Sequence, residues 1–262
     1  MGITRIDHML VILGLSDQMT EEQRRYAATE IMKGMKDKAE EAKCFIAGGQ
    51  TVLNPWVMTG GSVIGVIEDL NLQNTEAEAG DVIILTKPLG MQMAVNFKQY
   101  IRKNPDKIQK LISTGHFDLD SFDHIFQKAA KHMATLNLYA AQVINEFKDH
   151  VKACTDITGF GIKGHSDNLV EIQKRNVNFL IDTFPTFTNF HKLDKIVRNF
   201  KLLEGLAAET SGGLFIVVSK DFADKFQQSL KRNHNIESWI IGKVVNGNRV
   251  TEMANNLNIL EV

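Results

Sequence analysis

Asp156 stands in Thr155-Asp156-Ile157-Thr158-Gly159-Phe160-Gly161, between a short extended run and a helical one. A carboxylate on such a turn is a hard oxygen ligand for Mg²⁺, which takes one or two protein carboxylates together with nucleotide phosphates. The helix that follows also offers N–H groups to an anion. Asp and Thr just ahead of a helix are common caps as well, so metal ligand and cap both stand open here. In a second cluster, Gly48-Gly49-Gln50-Thr51, the glycines let backbone N–H groups come close to a phosphate. Gln50 and Thr51 could bond ribose or phosphate oxygens. The quartet lacks the GxxxxGK[ST] and GxGxxG spacings, and a plain turn between strands would use the same residues. In a third cluster, Glu209-Thr210-Ser211-Gly212-Gly213, a glycine turn feeding a strand accounts for the residues without a ligand. No nucleophile elbow, HExxH or zinc-ligand spacing occurs. His165 reads as a structural or surface histidine, and Cys44 and Cys154 read as small buried hydrophobes.

The elements that must position these residues alternate between two periodicities. The apolar run Met9–Leu15 predicts a buried strand. Thr20 and Gln23 form a capping box, and Ile31, Met35, Ala39 and Ala42 then recur at helical spacing, predicting a helix over 21–42. Cys44–Ala47 and Trp56–Ile67 read as two strands joined by a loop, with the glycine pair between them and the second strand bent at Gly60 and Gly61. The polar stretch Asn71–Gly80 is the candidate domain boundary. Asp81–Thr86 is a strand stopped by Pro88. Apolar spacings of three and four from Phe122 to Phe147 predict one long helix over 121–148.

Beyond it, strands are expected at Val151–Thr155, Val177–Ile181, Leu214–Ser219 and Trp239–Val245. Helices are expected at Ile162–Lys174, Asn189–Phe200 and Asp221–Lys231. Asn246-Gly247-Asn248 should turn tightly into Arg249–Glu252. The class is α+β in two unequal parts, a small piece over 1–75 and a complete domain over 80–262.

Composition narrows the function. Thirty Lys+Arg against 31 Asp+Glu leave a net charge of −1 in 262 residues, so no basic excess favours nucleic acid. Met9–Leu15 is far shorter than the roughly 20 residues that span a bilayer, so no membrane partner is expected. Two cysteines in no ligand spacing suit a reduced, cytoplasmic setting.

In order and spacing, MGITRIDHMLVILGLS (1–16), AGGQTVLNPWVMTGG (47–61), GDVIILTKPLG (80–90), ACTDITGFGIKGH (153–165), ETSGGLFIVV (209–218) and SWIIGKVVNGNR (238–249) resemble selenophosphate synthetase, the selenide, water dikinase family. GGQTVLNPW looks like its eukaryotic branch. The resemblance implies the two-domain fold of aminoimidazole ribonucleotide synthetase, here with an incomplete N-terminal domain. It implies a reaction in which ATP, selenide and water give selenophosphate, AMP and phosphate. It makes Asp156 a Mg²⁺ ligand, and Gly48, Gly49, Gln50 and Thr51 a contact to ATP bound mainly by the other subunit of a homodimer.

In that family the pair matching Met1 and Gly2 is internal. A reactive Cys or selenocysteine and its Lys are expected upstream of Met1, together with further Mg²⁺-gathering aspartates, so the resemblance assigns no catalytic residue from Met1 onward. It therefore implies that the chain is the downstream part of a longer protein, cut where a selenocysteine codon is read as a stop, and inactive alone. The alternative is a non-catalytic homologue acting as a dimerisation or regulatory partner in selenium metabolism.

Overall fold

Val11, Leu13 and Leu15 fall on one side of a strand, as a period of two requires, and all three are buried; this is β1, His8–Ser16. The computed structural model describes residues 2–65 and 74–262. The chain divides into two units, Gly2–Leu70 and Asn71–Val262. Residues 66–73, which include parts of the expected strand Trp56–Ile67 and boundary Asn71–Gly80, lie outside the described residues. So does Met1, the residue ahead of which the resemblance puts the nucleophile and its lysine.

In the first unit, α1 (Glu21–Glu41) starts at the expected capping box, with Gln23 N–H on Thr20 Oγ1 at 3.3 Å and Thr20 N–H on Gln23 Oε1 at 2.9 Å. The chain then returns as β2 (Phe45–Asn54), parallel to β1. β3 (Met58–Ile64) lies antiparallel on the other side of β1, giving the order β2-β1-β3.

The glycine quartet is neither turn nor loop. Gly48 to Thr51 pair with Leu10 to Leu13 in the middle of β2. The register slips between Met9, opposite Ile46, and Leu10, opposite Gly48, so Ala47 is the extra residue of a bulge. A Cβ at Gly49 would lie 1.9 Å from the Val11 carbonyl oxygen, so the close approach of two backbones, rather than a reversal of the chain, calls for glycine.

The second unit runs β4 (Val82–Leu85), α2 (Met91–Lys103), α3 (Pro105–Ile112), α4 (Leu119–Ala134), α5 (Leu138–Glu146), β5 (Val151–Asp156), α6 (Gly161–Glu171), β6 (Val177–Thr186), α7 (Phe190–Leu193), β7 (Leu214–Val218), a short 3₁₀ turn, α8 (Ala223–His234), β8 (Trp239–Asn246) and β9 (Thr251–Glu261). Its strands form one sheet in the order β5-β7-β4-β8-β6-β9, antiparallel except where β9 runs parallel to β6. Ile83, Leu85, Phe179 and Phe215 face the core under α2, α4 and α6; Ile84, Cys154, Ile216 and Val218 face a second layer of α5 and α8. Phe97 sits in the first layer with Phe117, Phe190 and Phe200 edge-on at centroid distances of 5.7, 5.4 and 5.7 Å. Buried Gln173 ties the segment ahead of β4 to this unit, donating to the Asn74 carbonyl at 2.7 Å and accepting from Ala77 N–H at 3.0 Å.

Two expectations fail here for tertiary reasons, and one strand lands elsewhere than beside its predecessor. The single helix 121–148 is two, α4 and α5, on opposite faces of the sheet. Apolar spacing carries across the break because Met133, Leu136 and Ala140 still fall three and four apart. The Lys87 ammonium nevertheless bonds the Thr135 carbonyl at 2.8 Å, and Thr135 is extended, with ψ 125°.

The helix expected over 189–200 is only the single turn α7. Buried Asp194 then takes the N–H of Leu202 at 3.0 Å and folds the chain back. The turn after β8 forms, but β9 does not pair with β8. The Asn178 side chain in β6 accepts the N–H groups of Asn248 (2.7 Å) and Val250 (3.2 Å), carrying the chain to the far side of β6.

Candidate functional site

β4 and β5 both run antiparallel to β7, so their C-terminal ends and the start of β7 share one end of the sheet. Three loops meet there: Thr86–Gly90, Thr155–Gly161 and Glu209–Gly213. They are joined by backbone. Ile157 N–H donates to the Gly213 carbonyl at 3.0 Å, and Glu209 N–H to the Thr158 carbonyl at 2.9 Å. A Cβ on Gly212 would lie 2.0 Å from the Ile157 carbonyl oxygen, so the glycines of the third loop allow it to lie against the second. Thr86 Oγ1 accepts Leu214 N–H at 2.9 Å and closes the set.

Asp156 is the last residue of β5, and its carboxylate is half-buried. That carboxylate has no hydrogen bond or ion pair to any described residue. It is therefore not the cap of α6, whose first residue Gly161 follows Phe160 with no side-chain cap. The turn is held by His165 instead, whose Nε2 lies 3.1 Å from Thr158 Oγ1 and 3.4 Å from the Phe160 N. With Nε2 as acceptor, both groups donate to one ring nitrogen, so this histidine is structural. Cys154, two residues earlier, is fully buried, and burial pushes its thiol up to about 11, which keeps it an unreactive hydrophobe.

Two ionisable groups that the spacing arguments passed over hold the loops in place. Glu209 is buried and accepts the N–H groups of Gly90 (2.7 Å) and Met91 (2.8 Å), closing the N-terminus of α2. Burial pushes its carboxyl up to about 8, against the pull of those two donors toward the anion. Lys87 is also buried; its Nζ donates to the carbonyls of Thr135 (2.8 Å) and Ser211 (2.9 Å). Burial brings it down to about 8. A lysine set between an apolar strand and a proline was the available signal. Glu209 carried none apart from its glycine neighbours.

Gly48, Gly49, Gln50 and Thr51 belong to the other unit. The side chains of Gln50 and Thr51 are exposed on β2 and make no hydrogen bond to a described residue. Among the described residues there is no group of three or more His, Cys, Asp or Glu able to hold a metal. Any ion at Asp156 therefore finds fewer than three such side chains among the described residues, an arrangement Mg²⁺ accepts when phosphates and water complete its shell.

Residues 1–67 match the AIR synthase related protein, N-terminal domain, and 78–255 match the AIR synthase related protein, C-terminal domain. Over its whole length the chain is 39% identical to selenide, water dikinase 2 of Homo sapiens, and spans 58% of that protein. Over 99% of its length it is 37% identical to selenide, water dikinase of Dictyostelium discoideum, and spans 70% of it. Among solved structures, E. coli HypE, a hydrogenase maturation protein, superposes with a TM-score of 0.68 at 14% identity, over 95% of this chain and 71% of HypE. Thiamine monophosphate kinase from Aquifex aeolicus gives 0.65 at 15% identity, over 97% and 75%. These two likenesses concern the fold alone. With both domain models matched and the sequence shared along its length, the chain belongs to the AIR synthase related proteins and, among them, to the selenide, water dikinases.

Proposed function

We propose that this protein serves ATP-dependent selenophosphate synthesis, in which ATP, selenide and water give selenophosphate, AMP and phosphate. The observation that carries the reading is the Asp156 carboxylate, free of partners among the described residues at the end of β5, on loops clamped backbone to backbone. Relatives named selenide, water dikinase support it. So do neighbours of the same fold solved as complexes, HypE with ATP (TM-score 0.61, 14% identity) and the Aquifex kinase with AMPPCP and TMP (0.61, 14%).

In this reading Asp156 holds a Mg²⁺ ion that, when bound, neutralises charge on the nucleotide phosphates. Asp156 orients that ion. The Glu209 and Lys87 contacts keep its loop from moving when the charges assemble. Gly48, Gly49, Gln50 and Thr51 contact ATP bound mainly by a second copy of the chain in a homodimer, a role supported by their exposed place on an edge strand. The bare apolar face of the first sheet supports the same dimer. No helix among the described residues is long and apolar enough to cross a membrane. The free cysteines support a reducing, cytoplasmic setting.

The test is selenide-dependent release of AMP from ATP, measured beside Mg²⁺-dependent ATP binding. Asp156→Asn keeps the size and removes the charge. It should lower the rate about 100-fold and abolish the gain in ATP affinity on adding Mg²⁺. An Asn variant with unchanged Mg²⁺ dependence overturns the assignment.

A further inference from the structure

The second unit also contains a cavity of about 360 Å³ at the ends of β4 and β8, between the C-terminal parts of α4 and α8. On the sheet β7 separates β4 from β5, which carries Asp156. The floor of the cavity is Lys87, only 3% exposed. An ammonium has three N–H donors; two are spent on the Thr135 and Ser211 carbonyls, and the third has no partner among the described residues. No described carboxylate lies within ion-pair distance of it. A buried cation without a counter-ion is costly, and carbonyl dipoles offset only part of that cost.

The remaining lining points the same way. His132 is driven down to about 4 by burial and then by Lys87, Lys131 and Lys128, so it is neutral and supplies no counter-charge. Lys128 and Lys131 of α4 and Lys231 of α8 stand around the opening, all exposed. Of the acidic groups on the described lining residues, the Glu237 side chain is paired with Lys231, and the other is the main-chain carboxylate of Val262. Half-buried Trp239 supplies apolar ring surface to the wall, backed by fully buried Phe187. The volume is that of a small-ligand site.

We propose that this cavity binds a small organic phosphate, its phosphoryl oxygens on Lys87 and the lysines of the opening, its organic part against Trp239. Several cations around one floor favour a doubly charged oxyanion over a carboxylate. Lysines supply the whole counter-charge, so binding needs no Mg²⁺. Asp156 and the glycine quartet are not among the residues that line the cavity.

Phenyl phosphate is the probe, titrated into the protein in EDTA and followed by calorimetry, with phenol, inorganic phosphate and benzoate as comparisons. Phenyl phosphate should bind at least tenfold more tightly than each of the three. Lys131→Ala with Lys231→Ala, both at exposed positions, should weaken it about fivefold or more; Lys87→Met should abolish it, and Asp156→Asn should leave it unchanged. If Lys87→Met does not fold, the double variant decides. The proposal is overturned by benzoate, phenol or inorganic phosphate binding equally well. An unaffected double variant, loss of binding in Asp156→Asn, or no saturable binding also overturns it.

Discussion

Ile84 and Ile12 occupy comparable places, each in a strand with a neighbour on both sides, yet Ile84 is fully buried and Ile12 is 51% exposed. The six-stranded sheet of the second unit is covered on both faces, by α2, α4 and α6 on one side and α5 and α8 on the other. The three-stranded sheet of the first unit buries Val11, Leu13 and Leu15 on one face but leaves Leu10 and Ile12 open on the other. Phe45, Leu53 and Trp56 are exposed as well. A three-stranded sheet with one covered face is near the lower limit of independent stability. The second unit is therefore held by its own core, while the first presents an open apolar surface.

Each unit contains one of the two tryptophans, Trp56 and Trp239, so denaturation followed by fluorescence in single-tryptophan variants reads the units apart. The largest effect is expected from Phe97→Ala. Losing a fully buried ring among Phe117, Phe190 and Phe200 should cost the unit reported by Trp239 about 3–5 kcal/mol. A loss below about 1 kcal/mol would mean that this core does not dominate its unit. Gly49→Ala should cost the unit reported by Trp56 about 1–3 kcal/mol, because the new Cβ meets the Val11 carbonyl. An unshifted Trp56 transition would mean that the β1–β2 bulge is free to relax.

Glu209 offers a finer test in pH. Its carboxyl lies at about 8 in the fold, above its ordinary 4.5, so the folded protein holds the proton more tightly and stability falls as pH rises between those values. His132, lowered from 6.5 to about 4, acts in the opposite direction and fades above pH 6.5. Lys87, lowered from 10.5 to about 8, opposes the fall as pH 8 is approached, so the two reduce the slope set by Glu209 without reversing it. From pH 6.5 to 8 the Trp239 transition should move to lower denaturant, and Glu209→Gln should flatten that slope. An equal slope in the variant would assign it elsewhere. The smallest stability change, within about 0.5 kcal/mol, is expected from Leu10→Ser with Ile12→Ser. That pair should instead shift sedimentation toward monomer; unchanged mass would break the contrast between a covered and an open sheet.

Much of this was legible. Thr20 and Gln23 announce α1 because a capping box is local, settled within one turn of chain. The run around Val11 reads as a strand for the same reason. The order of six short motifs identifies the family, since together they extend over most of the chain. The turn at Asp156 was legible as a choice between cap and ligand, and the fold leaves its carboxylate without a partner among the described residues. The glycine quartet was misread in form because a bulge beside a parallel partner and a reversing turn ask for the same residue. The α4–α5 break was hidden because apolar spacing continues through it.

Sequence alone determined the class, the strands and helices whose signals are local, and the residues worth suspecting. Tertiary structure decided which of those residues stand free and which are consumed as supports. Glu209, Lys87 and Asp194 are charged groups whose roles depend on backbone amides and carbonyls brought from far along the chain. A buried charge takes its meaning from whatever is folded against it, and no spacing in one dimension carries that information.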